Sequence, residues 1–237
     1  MRAEAKTLKT IGLIGGMSWE STMTYYQIIN TTVKEMLGGL HSGKILLNSV
    51  DFYEIEKHQS KGEWDICATM MIDAARSLEA AGADFIVICT NTMHKVVPQI
   101  QENIAIPILH IADAVSQELK QHGITKAALL GTKYTLTETF YIEKLVKAGI
   151  EILIPEPQDI EIINRVIFEE LCLGIVSPDS KKEYLRIIGQ LETQGAQSVI
   201  LGCTEIGLMI KQEDTSLPVF DTARIHAEKA ARSGCTS

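Results

Sequence analysis

Short runs of consecutive apolar residues alternate with stretches of helical spacing along most of this chain. KTIGLIGG (9–16) predicts a buried strand ending in a glycine turn, and residues 20–37 follow with helix-like spacing. KILLNSVDF (44–52) predicts a second strand, residues 64–81 a helix closed by Gly82, and FIVICT (85–90) a third strand. HKVVPQIQEN reads as a short helix interrupted by Pro98, and IPILHI (106–111) as a fourth strand. Continuous Val/Ile/Leu runs between helices are the signature of a parallel sheet covered on both faces.

The pattern then starts again. KAALLGT (126–132) reads as strand and turn, residues 137–148 as helix, and EILIP (151–155) as strand. Residues 160–173 and 178–194 are helical in spacing, and SVILGCT (198–204) and LPVFDT (217–222) complete the strands. The halves can be laid over one another. GADFIVICTNT (82–92) matches GAQSVILGCTE (195–205) at a spacing of 113, Gly15 matches Gly131 at 116, and Pro107 matches Pro218 at 111. Nearly constant spacing in the same order indicates an internal duplication. The expected fold is α/β: two pseudo-symmetric domains, each a mostly parallel four-stranded sheet flanked by helices, with the active site in the cleft between them. The expected boundaries are 8–111 with a C-terminal return at 213–237 for the first domain, and 112–212 for the second.

Composition narrows the function. With 22 basic against 30 acidic residues in 237, the net charge is −8. That argues against nucleic acid as a partner, because phosphate-backbone binders carry basic faces. No apolar run reaches the roughly 18 residues of a membrane span. The lead MRAEAKTLKT is polar and has no apolar h-region, so it does not read as a signal peptide. Five cysteines, an odd number, then suggest reduced thiols and a cytoplasmic protein. No C-x-x-C pair occurs, so no metal site is expected. GLIGGMS lacks the G-x-G-x-x-G spacing of a dinucleotide loop.

The duplication sets an unequal pair side by side. At a spacing of 113, Cys203 corresponds to Thr90, and Cys89 corresponds to Gly202. Side chains alternate faces along a strand, so Cys89 is expected to turn into the core. Ligands of open parallel sheets sit beyond the carboxyl ends of the strands. That places the turns GGMSWE, GTKYT, TNTMH and CTEIG around a ligand. Proton-handling groups on opposite faces of one carbon are what inversion of a stereocentre requires.

KTIGLIGGMSWEST (9–22), SVDFYEIE (49–56), CTNTMH (89–94), HIADA (110–114), IFEELCLG (167–174) and GCTEIGL (202–208) together resemble the aspartate/glutamate racemase family over nearly the whole chain. The resemblance implies a cofactor-independent amino-acid racemase without pyridoxal phosphate, acting on aspartate, glutamate or a broader set, and a homodimer. It implies Thr90 and Cys203 as the catalytic pair, with Thr90 standing where typical members carry a cysteine. Asn91, Thr92, Thr132 and Thr204 are the candidates to hold the α-carboxylate, Glu205 to orient a neighbour, and Met17 and Gln59 to contact substrate. An arginine after the second strand is typical, but residues 45–75 contain none, and the typical lysine position falls near Glu161. Lys133, Lys57 and Arg165 are the substitutes available, although such cations are usually solvated.

A thiol at a helix N-terminus ionises more easily, so Cys203 ahead of TEIGLMI is expected to serve as a thiolate base. A threonine hydroxyl does not ionise near neutrality. The pair therefore implies an enzyme that deprotonates one enantiomer faster than the other. Two alternatives stay open at this point: an isomerase or decarboxylase of a small diacid, and an amino-acid binding protein without activity. His94, just past the first turn, is a candidate supporting residue, and His110 reads as structural.

Overall fold

The structure, a computed structural model, describes residues 8–235. They form two compact units. The first holds the chain up to Cys89, Val96–His110 and the segment from His226; the second holds Thr90–Lys95 and Ile111–Ile225.

The first unit contains β1 (Thr10–Gly15), α1 (Trp19–Leu37), β2 (Lys44–Ser49), α2 (Phe52–Gln59), α3 (Trp64–Ala80), β3 (Phe85–Ile88) and α4 (Val97–Gln101). Its sheet is parallel with order β2-β1-β3. Ser18 starts α1 by accepting a hydrogen bond from the Ser21 amide, and Glu20 lies in the first turn, where a negative charge is favoured. Pro98 sits in the first turn of α4, where its missing amide costs nothing, so it begins that helix rather than interrupting one. The fourth strand expected over 106–111 is reduced to one parallel bridge, Ile86 to Ile108. Around it the Ile86 amide donates to the Pro107 carbonyl and the Leu109 amide to the Ile86 carbonyl, both at 2.9 Å. The first sheet therefore has three strands.

The second unit contains α5 (Ile111–Gln121), β4 (Lys126–Leu130), α6 (Lys133–Thr137), α7 (Thr139–Lys147), β5 (Glu151–Leu153), α8 (Pro157–Glu169), α9 (Pro178–Thr193), β6 (Val199–Leu201), α10 (Ile206–Met209), β7 (Val219–Asp221) and the start of α11 (Thr222–Cys235). Its four strands are parallel in the order β5-β4-β6-β7. On one side of the sheet Ile163, Val166, Tyr184 and Ile187 from α8 and α9 pack against Val199 and Leu201. Elsewhere in the unit Val115, Leu119, Tyr141 and Leu145 from α5 and α7 pack against Leu129 and Ile200. Pairing of β7 with β6 keeps residues 219–221 in this unit, so the C-terminal return begins at His226 rather than at 213.

The duplication is written in the hydrogen bonds inside each unit. Ile14 lies opposite Ile88 in one sheet, and Leu130 opposite Leu201 in the other. One residue on, the Cys89 amide donates to the Ile14 carbonyl at 2.9 Å and the Gly202 amide to the Leu130 carbonyl at 2.6 Å. Asp84 and Gln197 donate likewise to the Thr10 and Lys126 carbonyls, at 2.8 and 2.9 Å. Gly82 and Gly195 turn the chain into these strands with φ of 92° and 95°. Backbone register thus makes Cys89 the counterpart of Gly202, and Thr90 the counterpart of Cys203.

Candidate active site

The turn after β3 begins with a thiol that faces inward. Cys89 is fully buried, its carbonyl accepts from the Ser21 hydroxyl at 3.1 Å, and burial alone pushes its thiol well above the ordinary range. Thr90 follows, half-buried. Its carbonyl is held by His94, whose Nδ1 lies 2.8 Å away, while His94 Nε2 accepts from the Ile111 amide at 3.2 Å. An amide can only donate, so Nε2 is bare, Nδ1 carries the proton, and the imidazole ties Thr90 to the first turn of α5.

Asn91 and Thr92 continue the turn, both buried. Asn91 Nδ2 donates to Thr222 Oγ1 at 2.9 Å, and the Thr222 hydroxyl donates to the Leu201 carbonyl at 2.7 Å. Asn91 Oδ1 is buried without a hydrogen-bond partner. Thr92 Oγ1 lies 3.3 Å from Thr132 Oγ1, and Thr132 caps α6 by accepting from the Thr135 amide. The turn after β3 is thereby fastened to the carboxyl ends of β4, β6 and β7.

The turn after β6 has a different chemistry. Gly202 passes so close to β4 that a Cβ there would lie 2.8 Å from the Leu130 carbonyl oxygen. Cys203, Thr204 and Glu205 follow, all buried. Cys203 Sγ donates to Glu205 Oε2 at 3.0 Å, and the Thr204 hydroxyl donates to the same oxygen at 2.7 Å. The Cys203 thiol is pushed well up, first by burial and then by the adjacent Glu205 charge. This overturns the expected thiolate. The helix after it, α10, spans only Ile206–Met209, and Cys203 is packed in the apolar cluster of Tyr184, Leu201 and Ile206. Loss of hydration outweighs so short a helix dipole. The resting group is a thiol already aimed at a carboxyl oxygen.

Met17 and Gln59 are both buried and belong to the first unit. Met17 follows Gly16, which is held to glycine by a φ of 94° and by the Val50 carbonyl, 2.1 Å from where a Cβ would stand. The three candidate cations are each engaged. Lys133 Nζ lies 2.5 Å from Glu161, Lys57 pairs with Glu54 at 3.6 Å, and Arg165 lies 3.8 Å from Glu170. Glu161, standing near the typical lysine position, is thus met by a lysine from α6. Sequence reasoning missed Thr222. Its only local signal is a hydroxyl at the carboxyl end of the strand in LPVFDT, since its partner Asn91 is 131 residues away.

Comparison with known proteins places this geometry. The Asp/Glu/hydantoin racemase family matches residues 14–230. The chain belongs to that family. A Yersinia pestis protein provisionally assigned as an Asp/Glu racemase has a crystal structure with 54% identity and a TM-score of 0.89, over 96% of this chain and 99% of that one. An aspartate racemase homologue from Pyrococcus horikoshii shares 38% identity at a TM-score of 0.83, over 96% and 99%. The broad-specificity amino-acid racemase RacX of Bacillus subtilis is 23% identical over 90% of this chain and 92% of its own.

Proposed function

We propose that this racemase-family chain interconverts the enantiomers of an amino acid, aspartate, glutamate or a broader set, without a cofactor, using Cys203 and Thr90 as unequal proton-handling groups. The observation that carries the reading is the buried thiol of Cys203 donating to Glu205 Oε2 at 3.0 Å, in the place that register equates with Thr90.

The step follows from the chemistry of that pair. Glu205 takes the Sγ proton, and the thiolate takes the α-hydrogen of the substrate, leaving its bonding pair on the α-carbon, spread into the carboxylate. A new C–H bond forms from the far face with a proton from the Thr90 hydroxyl; water reprotonates Thr90, and the proton held on Glu205 passes to the hydroxide left behind. A bound ammonium beside Sγ favours the thiolate, offsetting part of the burial that holds the resting thiol protonated. Cys203 can act in both directions, giving or taking a proton. Thr90 can give one, but its hydroxyl is a poor base at neutral pH. The enzyme is therefore lopsided between hands.

Asn91 changes role. Its Oδ1 is an unpaired buried acceptor, which suits the three N–H donors of the substrate ammonium rather than its carboxylate. Thr92 and Thr132 share one hydrogen bond at 3.3 Å, which uses one of their two hydroxyl hydrogens and leaves the other to donate to the carboxylate. A second copy of the chain is the partner we assign to the exposed face of α1, where Trp19, Met23 and Tyr26 stand at helical spacing.

Incubation with single enantiomers of about twenty amino acids, followed by chiral chromatography, tests the reading. Product of the opposite hand is expected from at least one amino acid. Binding without any inversion would overturn the racemase in favour of a binding protein, and loss of the α-carboxylate as CO₂ would indicate a decarboxylase.

A further inference from the structure

The side-chain amide of Asn91 has two orientations related by a half-turn, and the surroundings admit one of them. Thr222 is fully buried and possesses a single hydroxyl hydrogen. That hydrogen is committed to the carbonyl of Leu201, the last residue of β6, at 2.7 Å. Thr222 Oγ1 can then only accept from its other neighbour, 2.9 Å away. The Asn91 group facing it must be Nδ2, because Oδ1 in that place would set two acceptors against each other. Oδ1 is therefore turned the opposite way, buried, with no partner. A buried acceptor without a protein donor is unfavourable, and an N–H brought by a ligand relieves it.

We propose that Thr222 is a positioning residue for substrate recognition: it relays the fixed direction of the Leu201 carbonyl to Asn91, so that Oδ1 presents an acceptor to the α-ammonium of the amino acid. The inference rests on the racemase reading and deepens it. Thr222 does not itself touch substrate. It selects which end of Asn91 does. The chemistry selected favours an ammonium, which has three donors and no acceptors, whereas a carboxylate would meet Oδ1 as a second acceptor.

The test compares wild type with Thr222→Val, which keeps the shape and deletes the hydroxyl, and Thr222→Ser, which keeps the hydroxyl. For the preferred amino acid, Thr222→Val is expected to raise KM roughly tenfold, the scale of one lost charge-assisted hydrogen bond. The inhibition constant of the matching dicarboxylate without an amino group, succinate or glutarate, should change less than twofold. Thr222→Ser should restore the amino-acid KM. Equal weakening of amino acid and dicarboxylate would overturn the proposal by making Thr222 merely structural. So would an unchanged KM in Thr222→Val, or a Thr222→Ser variant as weak as Thr222→Val.

A second readout needs no turnover. In ligand-free protein the Asn91 side-chain NH₂ should give a slowly exchanging pair of amide resonances, identified by their loss in Asn91→Leu, and Thr222→Val should abolish that protection. If no amino acid is inverted or bound, the racemase reading fails, and with it the ammonium half of the proposal. Protection lost in Thr222→Val would still support the Thr222 anchor, and protection retained would overturn it.

Discussion

The turns after β3 and β6 share a backbone and differ in chemistry. Each leaves its strand through the same amide-to-carbonyl bond, Cys89 to Ile14 in one sheet and Gly202 to Leu130 in the other. Beyond that point the first turn offers a hydroxyl at 90 and another at 92. The second offers a thiol at 203 and a carboxyl at 205, joined at 3.0 Å. The spacing of 113 equates Thr90 with Cys203 and Thr92 with Glu205. The first half thus lacks both the thiol and the carboxyl partner that would receive its proton. Duplication has kept the hydrogen-bonded frame, which sets where a side chain stands, and left free what that side chain is. Burial then decides its state. Two cysteines lie in these neighbouring sequences, and both thiols are pushed up by burial, but only Cys203 faces a proton acceptor.

The largest expected effect separates those two cysteines. Cys203→Ser should lower racemisation by roughly 10³-fold, the scale of losing a positioned acid–base group, whereas Cys89→Ala should leave the rate within about twofold. Cys89→Ala should instead cost about 1–2 kcal/mol of stability for the small cavity it opens, read from denaturant midpoints at unchanged slope. Comparable activity losses in both would remove the distinction drawn between the turns.

The next effect belongs to the first unit. His226 is fully buried, with Nδ1 2.9 Å from the Tyr25 hydroxyl and Nε2 2.8 Å from the Leu109 carbonyl. The carbonyl requires the proton on Nε2, so Nδ1 accepts from Tyr25. Burial lowers its pKa from 6.5 to about 4. The unfolded chain takes up a proton below pH 6.5 that the folded chain refuses until about pH 4. Stability from this group is therefore complete above pH 6.5 and is lost as the pH falls toward 4, by about 3 kcal/mol in total. Urea unfolding across that range should show the slope, and His226→Gln should flatten it. A slope unchanged by His226→Gln would assign the acid sensitivity to other groups.

A smaller effect sharpens the comparison. Thr90→Cys puts a thiol into the first turn without giving it a carboxyl, since position 92 remains threonine. The slower of the two α-proton exchange reactions should rise about tenfold, the lower part of the acid–base range, and the faster should hardly change. An exchange ratio unmoved by Thr90→Cys would detach the asymmetry from position 90.

The strands, the order of the helices and the duplication were legible because buried parallel strands and amphipathic helices leave strong periodic traces. IPILHI misled because an apolar run does not say how many of its backbone groups find a partner, and beside Pro107 the pairing stops at one bridge. The equivalence of Thr90 and Cys203 was legible from spacing, and the register of both sheets agrees with it. The protonation of Cys203 was not, because adjacent sequence suggests a helix dipole while burial of the thiol depends on packing by residues such as Tyr184 of α9, which adjacent sequence does not show. Thr222 was illegible for the same reason. Its meaning lies in a bond to a residue in the other half of the duplication.

In the proposed mechanism one turn supplies a competent base and the other does not. The most direct measurement follows the wash-in of solvent deuterium at the α-carbon of each pure enantiomer, at early times in D₂O, for the preferred amino acid. One enantiomer should lose its α-proton at least about tenfold faster than the other, as Cys203, unlike Thr90, has a positioned carboxyl acceptor for its own proton. Equal initial exchange from both enantiomers would contradict it.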